Sequence, residues 1–166
     1  MAKLPSGILA RTITTGGLLL GIFALGACSS QIGASLDGQD GRLSPCPAAP
    51  HCVTSEVDES ASAYVAPIAM NGLTSQQART LLISAMTEMQ GQINTQTDRY
   101  LAASFKSKMF GFTDDLECRI DSAAGVIQVR SASRLGYYDM GANRRRVNEL
   151  RQRFAVLRNN LVSVQS

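Results

Sequence analysis

The sequence predicts an α+β domain, with a small antiparallel sheet of about three to four strands and two main helices packed on one face of it. Apolar residues recur at the spacing of a helix over residues 74–90 and again over 142–161. Between these segments apolar residues alternate at the spacing of a strand. The order helix, strands, helix therefore indicates two helices that cover one face of an antiparallel sheet.

The first predicted helix has a recognisable beginning and end. Thr74 is placed to cap its first turn, and Gln77 stands where the partner residue of a capping box lies. Gly91 follows the helix, and a glycine at this place is typical of a helix stop. The apolar face of the helix comprises Ala78, Leu81, Leu82, Ala85, Met86 and Met89.

Three strands are predicted from residues that alternate in polarity. One runs through 101–105, and two more, through 116–120 and 127–129, form a hairpin closed by residues 121 and 126. In this register apolar side chains face each other on one side of the hairpin, and acid faces base on the other. The predicted facing pairs are Cys118 with Val129, Ile120 with Ile127, and Glu117 with Arg130.

The last predicted helix, over 142–161, carries an apolar stripe that would pack on this sheet. The stripe recurs at steps of three and four residues. Its members are Val147, Leu150, Phe154, Leu157 and Leu161.

Residues 1–27 are predicted to be a lipoprotein signal peptide outside the fold. A positively charged start precedes an apolar run over 16–27, which is shorter than the roughly 20 residues that span a bilayer. The run ends in Leu-Gly-Ala-Cys, residues 25–28, and this tetrapeptide resembles the lipobox of bacterial lipoproteins. The resemblance makes Cys28 the predicted site of lipidation, with palmitate among its acyl chains. An ordinary signal peptide followed by a chance cysteine is the alternative.

The mature chain is predicted to consist of a tether and one domain. Residues 28–43 are rich in Ser, Gly, Gln and Asp and are typical of a flexible tether, so the single domain is expected over 44–161. Ser29 stands where an aspartate would resemble a signal for retention in the inner membrane. An exported protein, lipid-anchored on the periplasmic face of the outer membrane, is therefore predicted, with the inner membrane as the alternative.

Charge is distributed unevenly along the mature chain. The whole sequence has a net charge of only +3, so no nucleic-acid partner is predicted. Residues 28–98 carry 2 basic and 7 acidic residues, whereas 99–166 carry 12 basic and 6 acidic ones. The cationic part is therefore the C-terminal part.

The cysteines after Cys28 are predicted to play different roles. Cys46 and Cys52 lie in a loop with three prolines, and in an oxidising envelope they are expected to form a disulfide. A metal site that uses these two cysteines and His51 is a rival interpretation, but its ligands are crowded and a fourth is missing. Free thiols are the third alternative. Cys118 alternates with core residues and is predicted to be a buried thiol, and neither a metal nor a cofactor is predicted.

The motif RSASRLGYYDMGANRRR, residues 130–146, places five arginines around the beginning of the last helix. The helix dipole disfavours cations at this end by roughly 0.3–1 kcal/mol each when they are exposed, so a compensating anion is expected. Asp139 lies near the predicted N-cap, and the hairpin register brings two further aspartates to the same place. The candidate site residues are Arg130, Arg134, Arg144, Arg145, Arg146, Asp114, Asp115 and Asp139.

Three interpretations of this cluster are open. The first is a structural network of ion pairs that locks the last helix to the hairpin. The second is a site for an external anion, such as a lipid phosphate or a cell-wall carboxylate, held by arginines and free amides at the helix start. The third is catalysis by Asp114 and Asp115 as acid and base. His51 is the only histidine, and no orienting acid is evident for it, so it is predicted to be an ordinary loop residue.

Three segments resemble one known family. They are CPAAPHCVTSE (46–56), FGFTDDLECRID (110–121) and VRSASRLGYYDMGANRRRV (129–147), and they are similar to the bacterial and plastid family called domain of unknown function 1499. The resemblance covers roughly residues 43–155. It implies a small secreted, lipidated or membrane-tethered protein and carries no catalytic residue over, because no activity of the family is established. Cys118 departs from the larger apolar residue expected at its position.

These patterns together predict a bacterial cell-envelope lipoprotein with a non-enzymatic binding or structural domain that recognises an anionic ligand through its arginine cluster. Its predicted partners are the membrane, through the N-terminal lipid, and an anionic envelope component or another envelope protein. An envelope enzyme that uses Asp114 or Asp115, with the arginines as electrostatic stabilisers, is the alternative.

Overall fold

A six-stranded antiparallel sheet with two helices on one face forms the domain in the computed structural model of the protein, which describes residues 36–37, 41–106 and 111–165. The predicted signal peptide, the predicted lipidation site Cys28 and most of the predicted tether lie outside these residues. Along the chain the elements are β1 (Leu36–Asp37), β2 (Arg42–Leu43), β3 (Cys52–Thr54), β4 (Ile68–Ala69), α1 (Ser75–Glu88), β5 (Gln92–Gln96), β6 (Tyr100–Lys106), β7 (Thr113–Asp121), β8 (Val126–Ser133) and α2 (Ala142–Gln165).

The predicted α+β class is confirmed, with more strands than the three to four predicted. The sheet has the order β3-β8-β7-β6-β5, and β4 also pairs with β8. The three additional strands are short or polar. β3 and β4 comprise three and two residues, and β5, at the edge of the sheet, has the sequence Gln-Ile-Asn-Thr-Gln. None of these three segments contains the run of alternating apolar residues from which a strand is predicted.

The central hairpin adopts the predicted register. Cys118 lies opposite Val129, Ile120 opposite Ile127, and Glu117 opposite Arg130. Since successive side chains of a strand point to opposite faces, β7 directs its even-numbered residues toward the helices and its odd-numbered ones to the outer face. Cys118 is fully buried on the helix side, and this burial raises the pKa of its thiol, which keeps the group protonated and unreactive.

Helix α1 begins with the predicted capping box. The amide of Gln77 donates to Thr74 Oγ1 at 3.2 Å, and the amide of Thr74 donates to Gln77 Oε1 at 2.9 Å. At the other end the left-handed residue is Gln90, with φ of 65°, rather than Gly91. Gly91 is required for another reason, because a β-carbon there would lie 2.5 Å from Phe105 Cζ. The helix therefore ends where the sequence predicts, but the left-handed residue that ends it is Gln90 and not the predicted Gly91.

The hydrophobic core lies between the sheet and the two helices. Both predicted apolar stripes face it, and Leu82, Leu150 and Phe154 are almost completely buried. A smaller cluster of Leu43, Tyr100 and Ala102 covers part of the outer face of the sheet. Leu43 is only 4% exposed and belongs to β2. The C-terminal end of the predicted tether over 28–43 is therefore part of the folded domain.

Candidate anion-binding site

The predicted arginine motif lies at one end of the sheet, where β8 leads through a loop into α2. On the outer face Glu117 is 1% exposed and forms an ion pair with Arg130. The other oxygen of Glu117 accepts a hydrogen bond of 2.6 Å from the hydroxyl of Tyr100. The cost of burying this carboxylate is therefore offset by one cation and one hydroxyl.

A second ion pair on the outer face joins Arg134 to Asp115. The guanidinium donates from Nε at 2.9 Å and from Nη2 at 2.8 Å to the two carboxylate oxygens, which is the bidentate geometry of a strong pair. The hydrogen bonds from this guanidinium to Asp115 raise the pKa of Arg134 further. Both oxygens of Asp115 are thus engaged by one arginine.

The third ion pair connects α2 to the sheet on the helix side. Arg146 Nη2 lies 2.6 Å from a carboxylate oxygen of Asp114, a residue that is 5% exposed. The guanidinium carbon of Arg146 lies 5.1 Å from the centre of the Phe105 ring. The ion pair and the cation–π contact together fix the first turn of α2 over β6 and β7.

Asn143 is a fully buried connecting residue that the sequence analysis did not single out. Its Oδ1 accepts from the hydroxyl of Ser131 at 2.7 Å and from Arg146 Nη1 at 2.9 Å. Its Nδ2 donates to the carbonyl of His51 at 2.9 Å. This one side chain therefore links β8, α2 and the proline-rich loop.

Asp139 caps the beginning of α2 from within the chain. Its carboxylate accepts from the amides of Gly141 and Asn143, each at 2.8 Å. Burial alone would raise the pKa of Asp139, but these hydrogen bonds outweigh it and hold the pKa below its ordinary value. The amides of Gly141 and Asn143 are thereby occupied by the protein's own carboxylate, so these two amides are not free to bind an external anion.

Arg144 and Arg145 differ from the three paired arginines. Both are exposed, and within the described part of the chain their guanidinium groups bind backbone carbonyls and no carboxylate. Arg144 donates to the carbonyls of Tyr64 and Ser62 at 2.8 and 2.7 Å. Arg145 donates to the carbonyl of Met140 at 2.8 Å. Both positive charges consequently remain available to an external anion.

A groove of about 500 Å³ runs beside Arg145, between the end of α1, the edge of the sheet and the beginning of α2. Its cationic residues are Lys106, Arg145 and Arg146, and Glu149 supplies one carboxylate. Asp114 and Asp115 do not line it. The groove therefore offers more positive than negative charge and places neither predicted catalytic carboxylate at its wall.

The proline-rich loop is closed by a disulfide bond between Cys46 and Cys52. Since both sulfurs are used in this bond, they are not available as zinc ligands. His51 is half-buried next to the disulfide, and its backbone carbonyl accepts from the amide of Ser133 at 3.0 Å. The loop therefore serves to hold β3 and the end of β8 together.

Comparison with known proteins places the domain in one family of unknown function. Residues 42–154, about two thirds of the chain, match the family described as protein of unknown function (DUF1499). No curated protein matches the chain significantly. Within the described residues, no helix combines the length and the apolar character that crossing a membrane requires.

Proposed function

We propose that this chain, which belongs to the DUF1499 family, is a bacterial cell-envelope lipoprotein whose domain binds an anionic partner without catalysing a reaction. The observation that carries the proposal is the division of the arginine motif. Arg130, Arg134 and Arg146 are bound to carboxylates, whereas Arg144 and Arg145 meet no carboxylate among the residues that the structure describes.

The two exposed arginines are costly for the fold. Cations in the first turn of a helix oppose its dipole by roughly 0.3–1 kcal/mol each. Arg146 offsets this cost through Asp114, whereas in the described part of the chain Arg144 and Arg145 gain hydrogen bonds to backbone carbonyls and no ion pair. A charge that is unfavourable for the helix and directed to solvent is what a binding surface for phosphate or carboxylate requires.

An enzymatic role for Asp114 and Asp115 has less support. Asp115 has both oxygens bound to Arg134, and Asp114 is buried beside Arg146. A general acid or base must reach a substrate proton within hydrogen-bonding distance, and neither carboxylate lines the groove. These aspartates are therefore proposed to stabilise the fold.

Inorganic phosphate is a simple probe of the proposed anion site. Phosphate should raise the melting temperature of the protein above its value in potassium chloride of equal ionic strength, because a ligand that binds the folded state stabilises it by mass action. The double variant Arg144→Gln, Arg145→Gln should lose most of this increase. Arg158→Gln is the matched control, since Arg158 is also on α2 and its guanidinium donates to the side chain of Asn159. An equal phosphate effect in all three proteins would contradict the assignment.

Fractionation of cells tests the proposed anchor separately. Cys28→Ser should release the protein from the membrane fraction, because one thioether-linked diacylglycerol and an N-terminal acyl chain hold a lipoprotein where a single chain does not. Mass spectrometry of the membrane-bound form should show a lipid on Cys28 and no residues 1–27. A variant that stays in the membrane fraction, together with an unchanged protein that carries no lipid on Cys28, would refute the anchor.

A further inference from the structure

Four large apolar side chains stand in solvent within six residues of the loop between β8 and α2. Isolated apolar residues on a surface are ordinary, but a cluster of them marks a surface that contacts something else. We call this group the apolar loop, and its members are Leu135 (71% exposed), Tyr137 (74%), Tyr138 (66%) and Met140 (74%).

The backbone of the apolar loop is held in this arrangement. Gly136 and Gly141 adopt φ angles of 97° and 76°, and Met140, which lies between these two glycines, has φ of 52°, a left-handed conformation that is unfavourable for a residue with a side chain. Asp139 fixes the turn through the amides of Gly141 and Asn143. The exposure of Met140 is therefore built into a hydrogen-bonded turn.

The apolar loop is continuous with the two exposed arginines. Arg145 folds back onto it and donates to the carbonyl of Met140, and a β-carbon on Gly141 would lie 3.3 Å from the Arg145 Nη1 atom. On the other side, Tyr138 and Arg144 line one depression of about 260 Å³. Large apolar groups and the two exposed arginines thus lie next to each other on one small surface.

We infer that the apolar loop, with Arg144 and Arg145, is the surface through which the domain docks on an anionic phospholipid bilayer. Leucine and methionine suit the boundary of the acyl chains, and tyrosine carries an apolar ring with a polar tip that suits the headgroup layer. The two guanidinium groups complement lipid phosphates. The inference rests on the proposed lipid anchor at Cys28, which supplies the reason for a bilayer rather than another partner.

The chain outside the described residues sets how far the domain is from the bilayer. Between Cys28 and Leu36, the first described residue, eight peptide units span at most roughly 30 Å. A domain tethered so close to a membrane experiences a high effective concentration of lipid. A small docking surface with weak intrinsic affinity is therefore enough to orient the domain on the membrane. Docking would turn the apolar loop and the beginning of α2 toward the lipid.

A single tryptophan placed in the loop reports on this contact, because the sequence contains none. We would reconstitute the full-length lipidated chain, as Tyr137→Trp, in vesicles of phosphatidylglycerol and phosphatidylcholine whose acyl chains carry bromine. The tryptophan should lose most of its fluorescence and emit at shorter wavelength than in detergent-free buffer. Val162→Trp, at a position 55% exposed near the end of α2, is the matched control and should be neither quenched nor shifted. Tyr138→Trp replaces Tyr137→Trp if circular dichroism shows that the first variant is not folded.

The charge requirement is tested in the same vesicles. Adding Arg144→Gln and Arg145→Gln to the loop variant, or replacing phosphatidylglycerol by phosphatidylcholine, should remove most of the quenching. The inference is overturned if the loop tryptophan stays unquenched, if the control is quenched equally, or if quenching is the same without anionic lipid. A shift that appears on raising the protein concentration without vesicles would likewise overturn it and indicate a second copy of the chain as the partner.

Flotation of the same samples separates this inference from the proposed anchor. If the anchor is absent, both variants will fail to float with the vesicles. The loop is then tested with added brominated anionic vesicles at rising concentration. Selective quenching of Tyr137→Trp would still support docking, and its absence would overturn it.

Discussion

Replacing Glu117 by alanine should lower the free energy of unfolding by about 3–5 kcal/mol. Glu117 is 1% exposed in the middle of β7, and the change would leave the guanidinium of Arg130 without its carboxylate and the hydroxyl of Tyr100 without its acceptor. Urea denaturation followed by circular dichroism measures the difference. The loss is expected to be large because a cation that is only 14% exposed remains without its carboxylate, rather than because the ion pair itself contributes much.

Two further variants test this explanation. Glu149→Ala removes an exposed partner of Arg153 and should cost much less than Glu117→Ala, since exposed pairs contribute little. Glu117→Leu combined with Arg130→Met removes both charges and should lie closer to the unchanged protein than Glu117→Ala does. A loss below about 1 kcal/mol for Glu117→Ala would contradict the structural role of the pair.

Arg146→Ala should destabilise the domain by about 3 kcal/mol. It would strand the buried carboxylate of Asp114, remove a donor to Asn143 and abolish the contact with Phe105. The neighbouring change Arg145→Ala should cost no more than about 1 kcal/mol, because Arg145 is exposed and its guanidinium binds one carbonyl and no carboxylate among the described residues. It also removes a charge that the helix dipole disfavours.

The same urea experiment measures both substitutions, and each serves as the control for the other. They lie in one helical turn and differ in what the side chain contacts rather than in residue type. Equal losses in the free energy of unfolding would mean that the contacts of the two side chains do not determine their contribution to stability. Such a result would contradict the separation of paired from exposed arginines.

The sequence predicted the central hairpin correctly because two independent signals agree there. Apolar alternation and charge complementarity select one register, in which Glu117 faces Arg130 and Asp114 faces Ser133. β5 lacks both signals, because its polar residues lie at the edge of the sheet and it is held there by backbone hydrogen bonds to β6. Such a strand depends on its neighbour rather than on its own pattern.

The sequence alone could not predict which arginines of the motif are paired with carboxylates and which are exposed. Consecutive residues on a helix point about 100° apart, so Arg144, Arg145 and Arg146 necessarily face three directions, but which one meets Asp114 depends on how α2 packs. Asn143 did carry a signal. It lies four residues before Val147 and seven before Leu150, so it occupies the apolar face, and a polar residue there indicates a buried hydrogen-bonding role.

Melting of Arg145→Gln and Arg146→Gln side by side, with and without phosphate, tests the central claim most directly. The claim is that one arginine of the adjacent pair holds the fold and the other binds an anion. Arg146→Gln should melt well below the unchanged protein in both buffers and still gain as much from phosphate. Arg145→Gln should melt close to the unchanged protein in chloride and gain much less from phosphate. If instead Arg145→Gln lowers the melting temperature as far as Arg146→Gln does, or keeps the full response to phosphate, the two arginines do not have the separate roles assigned to them.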